Sequence, residues 1–164
     1  MKIKVALTAI VISTSISSFA ISYIPADLEK FKNTGVCINC DLSEARLYDH
    51  DNADLSKSLL VKTSFYGHFY VCDFSSAQLM YADLANIQAS GSNFTSANLT
   101  GANLKHGNFS SSNFANADLS GANLAGSNLA RSNITKEQLS QAVSIDCAIL
   151  PDGTRSPQKD GTSC

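Results

Sequence analysis

From Gly67 to Lys136 the chain repeats every five residues, fourteen times without a break. Each unit is centred on an apolar residue, and a polar residue stands directly before the centre. From Asn93 to Asn133 that polar residue is Asn in every unit except at Asp118. Two positions before the centre sits a small residue, with Ile87 as the one exception. A period of five fits neither the 3.6 residues of a helical turn nor the two of a strand. It requires a chain that turns a corner once per unit, and self-similarity at a short fixed period marks a solenoid. Asn and Asp suit such corners, because their side chains bond nearby backbone and tolerate unusual dihedrals. Four corners close a square, so roughly twenty residues make one coil, with stacked coils about 4.8 Å apart.

A step of twenty predicts vertical columns. Read that way, the centres fall into Phe74, Phe94, Phe114 and Ile134; Leu79, Leu99, Leu119 and Leu139; Leu84, Leu104 and Leu124; and Phe69, Ala89, Phe109 and Leu129. Each column is nearly uniform in residue type. Ala89 is the odd centre, and its unit is the one that carries Ile87 in the small position. Large and small residues have changed places, with Gly67 and Gly107 read as leaving room for Ile87. Such an exchange conserves volume, which a close-packed core tolerates.

Units such as Ala97-Asn98-Leu99-Thr100-Gly101, Ala102-Asn103-Leu104 and Ala117-Asp118-Leu119-Ser120-Gly121 resemble those of pentapeptide-repeat proteins. The resemblance extends from Cys37 to Lys136. It implies an all-β solenoid, a right-handed quadrilateral β-helix of about four to five coils, closed at its ends by short capping helices. Centre and small residues would point inward and the other three positions outward. The resemblance implies no particular activity, since most members of that family have no assigned biochemical role.

Ahead of the repeats, Lys2 and Lys4 precede an apolar run from Val5 to Ile12 and a small-x-small motif at Ser18-Phe19-Ala20. This reads as a secretory signal over residues 1–20, cleaved before Ile21. The run is shorter than the ~20 residues a membrane span needs, so no span is expected in the mature protein. The expected address is the periplasm or the extracellular space, or the thylakoid lumen if the host is a cyanobacterium. Acidic residues number 14 and basic residues 12; without Lys2 and Lys4, 14 acids face 10 bases, a net −4. Within the regular repeats Asp73, Asp83 and Asp118 balance Lys105, Arg131 and Lys136. The repeat surface therefore offers no basic stripe to nucleic acid.

The cysteines are Cys37, Cys40, Cys72, Cys147 and Cys164. An oxidising compartment favours disulfides. Cys72 occupies a small inward position, in one column with Ser92, Ser112 and Ser132, and reads as a buried free thiol. Proximity along the chain then suggests Cys37–Cys40 and Cys147–Cys164, each tying down one end of the stack. The spacing Cys37-x-x-Cys40 also admits a redox or metal role. A thioredoxin-like site needs a βαβ setting, however, and structural zinc needs a second ligand pair.

The expected organisation has an N-terminal capping helix within residues 21–36, covering Pro25 to Thr34, with Asp27 early and Gly35 as its stop. Irregular repeats follow over residues 37–66, then regular ones over 67–136. The centres of the irregular repeats are Leu42, Leu47, Leu55, Leu60 and Phe65. The interval of eight from Leu47 to Leu55 reads as a three-residue insertion, and that of four from Phe65 to Phe69 as a one-residue loss. At the far end Thr135-Lys136-Glu137-Gln138 reads as a capping box. It opens a helix of about two turns with Leu139, Ala142 and Val143 inward. The remainder of residues 137–164 is a tail, with a short strand at Ile149-Leu150 before an Asp152-Gly153 turn.

Signals of chemistry are sparse. Asp49, Asp51 and Asp54, in the expected insertion, are the only candidates for a hard cation such as Ca²⁺, but Ala53 stands where a ligand is needed and no Gly or distal Glu follows. A solvated corner loop is the plainer reading. His68 and His106 stand alone, and no Ser–His–acid set can be assembled. No catalytic residue and no cofactor is expected. The sequons at Asn93, Asn98, Asn108 and Asn133 are by-products of the repeat. The expected function is a non-enzymatic, exported structural or protein-interaction scaffold for an unknown protein partner. Tyr66, Tyr70, Tyr81 and residues 49–54 are the expected contact points. Two alternatives carry features of their own. One is an ice- or polysaccharide-binding face built on the column Ser75, Thr95, Ala115 and Thr135. The other is a DNA-mimicking topoisomerase inhibitor, which the near-neutral surface and the signal disfavour.

Overall fold

The structure is a computed structural model that describes residues 23–159 and Cys164. The expected signal segment and its cleavage point lie outside the described residues. In chain order the regular elements are helix α1 (Pro25–Thr34), strands β1 (Arg46–Tyr48) and β2 (Ser64–Tyr66), and helix α2 (Lys136–Gln141). Between them the chain winds as a solenoid held by single parallel bridges. One ladder runs Asp73–Asn93–Asn113, the next Gln78–Asn98–Asp118, the third Asp83–Asn103–Asn123 and the fourth Gln88–Asn108–Asn128. Each step is twenty residues. The amide of Phe94 donates to Asn113 O at 2.7 Å, and the amide of Asn113 donates back to Ser92 O at 2.9 Å. The same exchange recurs on every side, so each centre is locked to the coil below.

The corner chemistry explains the composition of the repeat. The second residue after a centre sits in the left-handed region: Ser76, Tyr81, Asn86 and Gly91, then Ser96, Gly101, His106 and Ser111. The polar residue before the centre closes the corner. Asn93 Oδ1 accepts from the Thr95 amide at 3.1 Å, while its Nδ2 donates to Asp73 Oδ1 at 3.1 Å on the coil above. Asn can hold both bonds because it carries an acceptor and a donor. Inside, Phe74, Phe94 and Phe114 stack with centroids 4.9 Å apart and rings within 6° of parallel. That spacing is the coil repeat itself.

The coil length is not constant. The bridges step by 18 residues from Val36 to Asp54, by 19 from Asp54 to Asp73, by 20 through the regular repeats, and by 21 from Asn123 to Ser144. This corrects the sequence reading at residues 49–54. The interval of eight is not an insertion into one side. The His50 amide donates to His68 O at 2.8 Å, the bond that a centre residue makes, so His50 stands in the column of Phe69. Two residues are missing at the corner before it. In place of a turn, β1 runs straight on, paired in parallel with β2. Gly67 is corrected with it. It is exposed, at φ +87°, and a Cβ there would overlap the Asp49 carboxylate; it makes room for Asp49 rather than for Ile87. At Gly107 a Cβ would instead overlap the ring of Phe109.

The ends are capped. Leu28 and Phe31 of α1 are buried in the common core, and Gly35 ends the helix at φ +67°. At the other end Thr135 and Gln138 form the capping box of α2. That helix is shorter than expected: it stops at Gln141, and Val143 is exposed. Leu139 lies in α2, partly buried against the core, rather than extending the Leu79–Leu99–Leu119 column as a repeat centre. The repeat also resumes after α2. Ser144 bridges Asn123, Ile149 bridges Asn128, and Ala148 is fully buried as a small inward residue. Ile149 then pairs antiparallel with Arg155.

Candidate functional site

The regular coils present mostly small polar residues, broken by the exposed Val71 and Tyr81, and the densest group of exposed rings lies where the corner between β1 and the next side is cut short. Without a turn there, large side chains project side by side. Tyr48 and Tyr66 stack with centroids 5.2 Å apart, and both are exposed. On the adjoining side His68 and Tyr70 stack at 5.4 Å. Beneath them the acids are tied to backbone. Asp49 Oδ1 accepts from the His68 amide at 2.7 Å, Asp51 Oδ1 from the Tyr70 amide at 3.0 Å, and Asp54 Oδ1 from the Ser56 amide at 3.0 Å. Each acid serves a different amide, so the structure does not bring Asp49, Asp51 and Asp54 together as a ligand set. Among the described residues the one grouping of metal-ligating type is Asp27, Cys37 and Cys40, and its two sulfurs are bonded to each other.

A cleft of about 320 Å³ opens beside this corner, between α1 and the first coil. Leu28, Phe31 and Lys32 line it from the helix, and Arg46, Leu47, Tyr48, Asp49 and His50 from the coil. His50 is edge-on to Phe31 at 4.6 Å, which is how an imidazole is accommodated at a core position. Lys32 pairs with Glu29 at 2.9 Å and Lys62 with Glu44 at 3.7 Å, whereas Arg46 has no ion-pair partner among the described residues.

Two expected contact points separate. Tyr81 is not part of this surface: it occupies the corner column of Lys62 and Gly101, one side away, where its ring covers Gly101. The column Ser75, Thr95, Ala115 and Thr135 is likewise no free array of hydroxyls. Thr95 Oγ1 donates to Asn93 Oδ1 at 2.6 Å, and Thr135 Oγ1 accepts from the Gln138 amide at 3.2 Å. Cys37, Cys40 and Cys72 are buried, Cys147 is partly buried and Cys164 is exposed. Cys37 bonds Cys40 and Cys147 bonds Cys164, with Cα atoms 5.4 and 5.5 Å apart. Cys72 is free and buried, its thiol donating to His50 O at 3.0 Å; burial pushes its pKa up to about 11.

The family of pentapeptide repeats matches residues 72–110 and 108–143, in eight copies. From residue 72 to residue 143 the chain is built of pentapeptide repeats. Its solenoid is accordingly a right-handed quadrilateral β-helix, and pentapeptide-repeat proteins are in general structural and non-catalytic. Among solved structures it is similar to a pentapeptide repeat protein from the cyanobacterium Cyanothece 51142, with 23% identity, 67% of this chain and 90% of that one covered, and a TM-score of 0.53. A second is a pentapeptide repeat protein of the Arabidopsis thaliana thylakoid lumen, with 22% identity, coverage of 77% and 87%, and a TM-score of 0.45. A third is full-length QnrB1, a plasmid-mediated fluoroquinolone resistance protein, with 17% identity, coverage of 75% and 79%, and a TM-score of 0.48. No curated protein matches the chain. The family's own pattern covers the regular coils, and the shortened corner falls before it.

Proposed function

We propose that this pentapeptide-repeat protein is an exported, non-enzymatic scaffold that binds another protein through its shortened corner. The observation that carries the reading is the concentration of exposed rings there. Tyr48, 58% exposed, lines the cleft and stacks on Tyr66, 43% exposed, whereas the other large exposed side chains, such as Val71 and Tyr81, stand apart from it. Tyr is enriched at interfaces because its ring supplies apolar area and its hydroxyl a polar handle. At the corner Asp49 and Asp51 are committed to backbone amides, and the nearby Cys72 thiol is buried and donates to His50 O, which supports the non-enzymatic reading. Export is supported by the charged and apolar start of the chain and by the two disulfides. Among the described residues no helix is long and apolar enough to cross a membrane. A DNA-mimic role draws no support from the surface, where the ladder before each centre is mostly neutral Asn.

The test is site-directed photocrosslinking in the native host. A photoreactive residue at position 66 should capture a discrete partner, and one at Ser110, on a regular coil, should not. Equal capture at both positions would sink the assignment. Fractionation with N-terminal sequencing checks export: the mature chain should start at Ile21, and an intact Met1 in the cytoplasm would overturn that part.

A further inference from the structure

Among the described residues the cap over the first coil is incomplete, and the gap has a definite chemistry. In the first coil the backbone groups of Val36 and Asp41 that face α1 are all taken. Thr34 Oγ1 accepts from the Val36 amide at 3.1 Å, and its one proton lies between Lys30 O at 2.8 Å and Val36 O at 3.2 Å. Asp27 Oδ2 accepts from the Asp41 amide at 2.8 Å, and the Ile24 amide donates to Asp41 O at 3.0 Å. The next side is β1. Its bonds to β2 run from the Ser64 amide to Ala45 O at 2.9 Å and from the Asp49 amide to Tyr66 O at 3.2 Å. In a parallel pair this register turns the amide and carbonyl of Leu47 toward β2 and those of Arg46 and Tyr48 away from it. Neither Arg46 nor Tyr48 has a backbone partner on that open side among the described residues. The cleft under α1 lies along this edge.

We propose that β1 is the docking edge for an extended segment of the partner protein, which adds a strand to the first coil. An open strand edge is a ready template for main-chain pairing, and such pairing gives affinity while side-chain pockets give specificity. The segment bonds the outward amides and carbonyls of Arg46 and Tyr48. It sets a large apolar side chain into the cleft against Leu28, Phe31 and Leu47, and at the adjacent, oppositely facing position it carries a carboxylate for the unpaired Arg46 guanidinium. This rests on the scaffold reading and specifies how that site recognises its partner.

The probe is an acetylated, amidated heptapeptide of alternating Thr and Val with Glu next to a central Phe, titrated into the purified chain and followed by amide NMR and hydrogen exchange. In the free protein the Arg46 and Tyr48 amides should exchange quickly and those of Leu47 and Asp49 slowly. Peptide should shift and protect the first pair. N-methylation of the peptide amides that face β1 should weaken binding at least tenfold, as should Arg46→Glu. Tyr48→Pro removes an outward amide together with the ring stacked on Tyr66, so it is compared with Tyr48→Ala, which loses the ring alone; the Pro variant should keep the melting temperature within a few degrees and bind the peptide at least tenfold more weakly than the Ala variant, and if it does not fold, the N-methylated peptide decides alone. Slow exchange at Arg46 and Tyr48 in the free chain, no peptide binding, or indifference to N-methylation would each overturn strand addition. Dimerisation through this edge, or protection that disappears once residues 1–22 are removed, would also overturn it by naming a different occupant. Photocrosslinking at position 66 that persists under any of these outcomes would leave the scaffold reading standing.

Discussion

The exchange of Ile87 and Ala89 makes a quantitative claim about the core. Both side chains are fully buried, in one repeat. Ile87→Ala removes three carbons beyond Cβ. At about 0.8 kcal/mol per buried CH₂ the transfer loss alone is about 2.4 kcal/mol. A residual cavity raises it to about 3.5 kcal/mol, within the range measured for such truncations. Ala89→Leu adds the same three carbons to a site already filled, and overpacking costs about 2 kcal/mol. Were the two changes independent, the double variant would lose about 5.5 kcal/mol, additive to within ~0.5 kcal/mol. The double variant, however, writes the ordinary repeat, small then large, and conserves volume. It should lie within about 1.5 kcal/mol of the parent. Urea unfolding followed by circular dichroism measures all four chains, with equal m-values as the check that the unfolded states match. A double variant as unstable as the sum would show that the two residues fill separate spaces and refute the reasoning.

Gly67→Ala should cost about 1–3 kcal/mol, because its φ of +87° is strained for Ala and the new Cβ displaces the Asp49 carboxylate from the His68 amide; calorimetry of the variant checks it. Thr135→Ala should cost about 1 kcal/mol by removing the capping box of α2, with the loss visible first as faster exchange of the Gln138 amide. Cys72 should resist alkylation at pH 8: with a pKa of about 11 its thiolate fraction is roughly two hundred times below that of an ordinary thiol. Because that pKa is raised on folding, the contribution to stability is fully present below the unfolded pKa of ~8.5 and is lost as pH rises through 11. A denaturation midpoint that does not fall across that window would contradict it. Replacing Cys147 and Cys164 by Ser should release the end of the chain, raising hydrogen exchange from Ala148 to Ser156 while the Phe74–Phe94–Phe114 stack stays protected. Uniform acceleration would show instead that the bond supports the whole solenoid.

The repeat was legible because each of its positions answers to one local demand. Apolar centres need a core, small residues need a close inward approach, Asn needs a corner, and none of these depends on distant parts of the chain. The four columns, the helix from Pro25 to Thr34 and the box at Thr135 follow from that alone. The shortened corner was not legible. An interval of eight between Leu47 and Leu55 can mean one side lengthened or a corner removed, and the choice turns on whether His50 can stand at a core position. It can, because Phe31 of α1 presents its ring to it, a contact made across nineteen residues of sequence. The return of the repeat at Ser144 was hidden in the same way, since the helix Lys136–Gln141 breaks the count while the ladders through Asn123 and Asn128 continue. Only the tertiary structure placed Tyr48 beside Tyr66 and Tyr81 on another side, and only it left the edge of β1 without a partner among the described residues. Local preference sets which residues turn inward, but which backbone groups stay unpaired is decided by where the cap comes to rest.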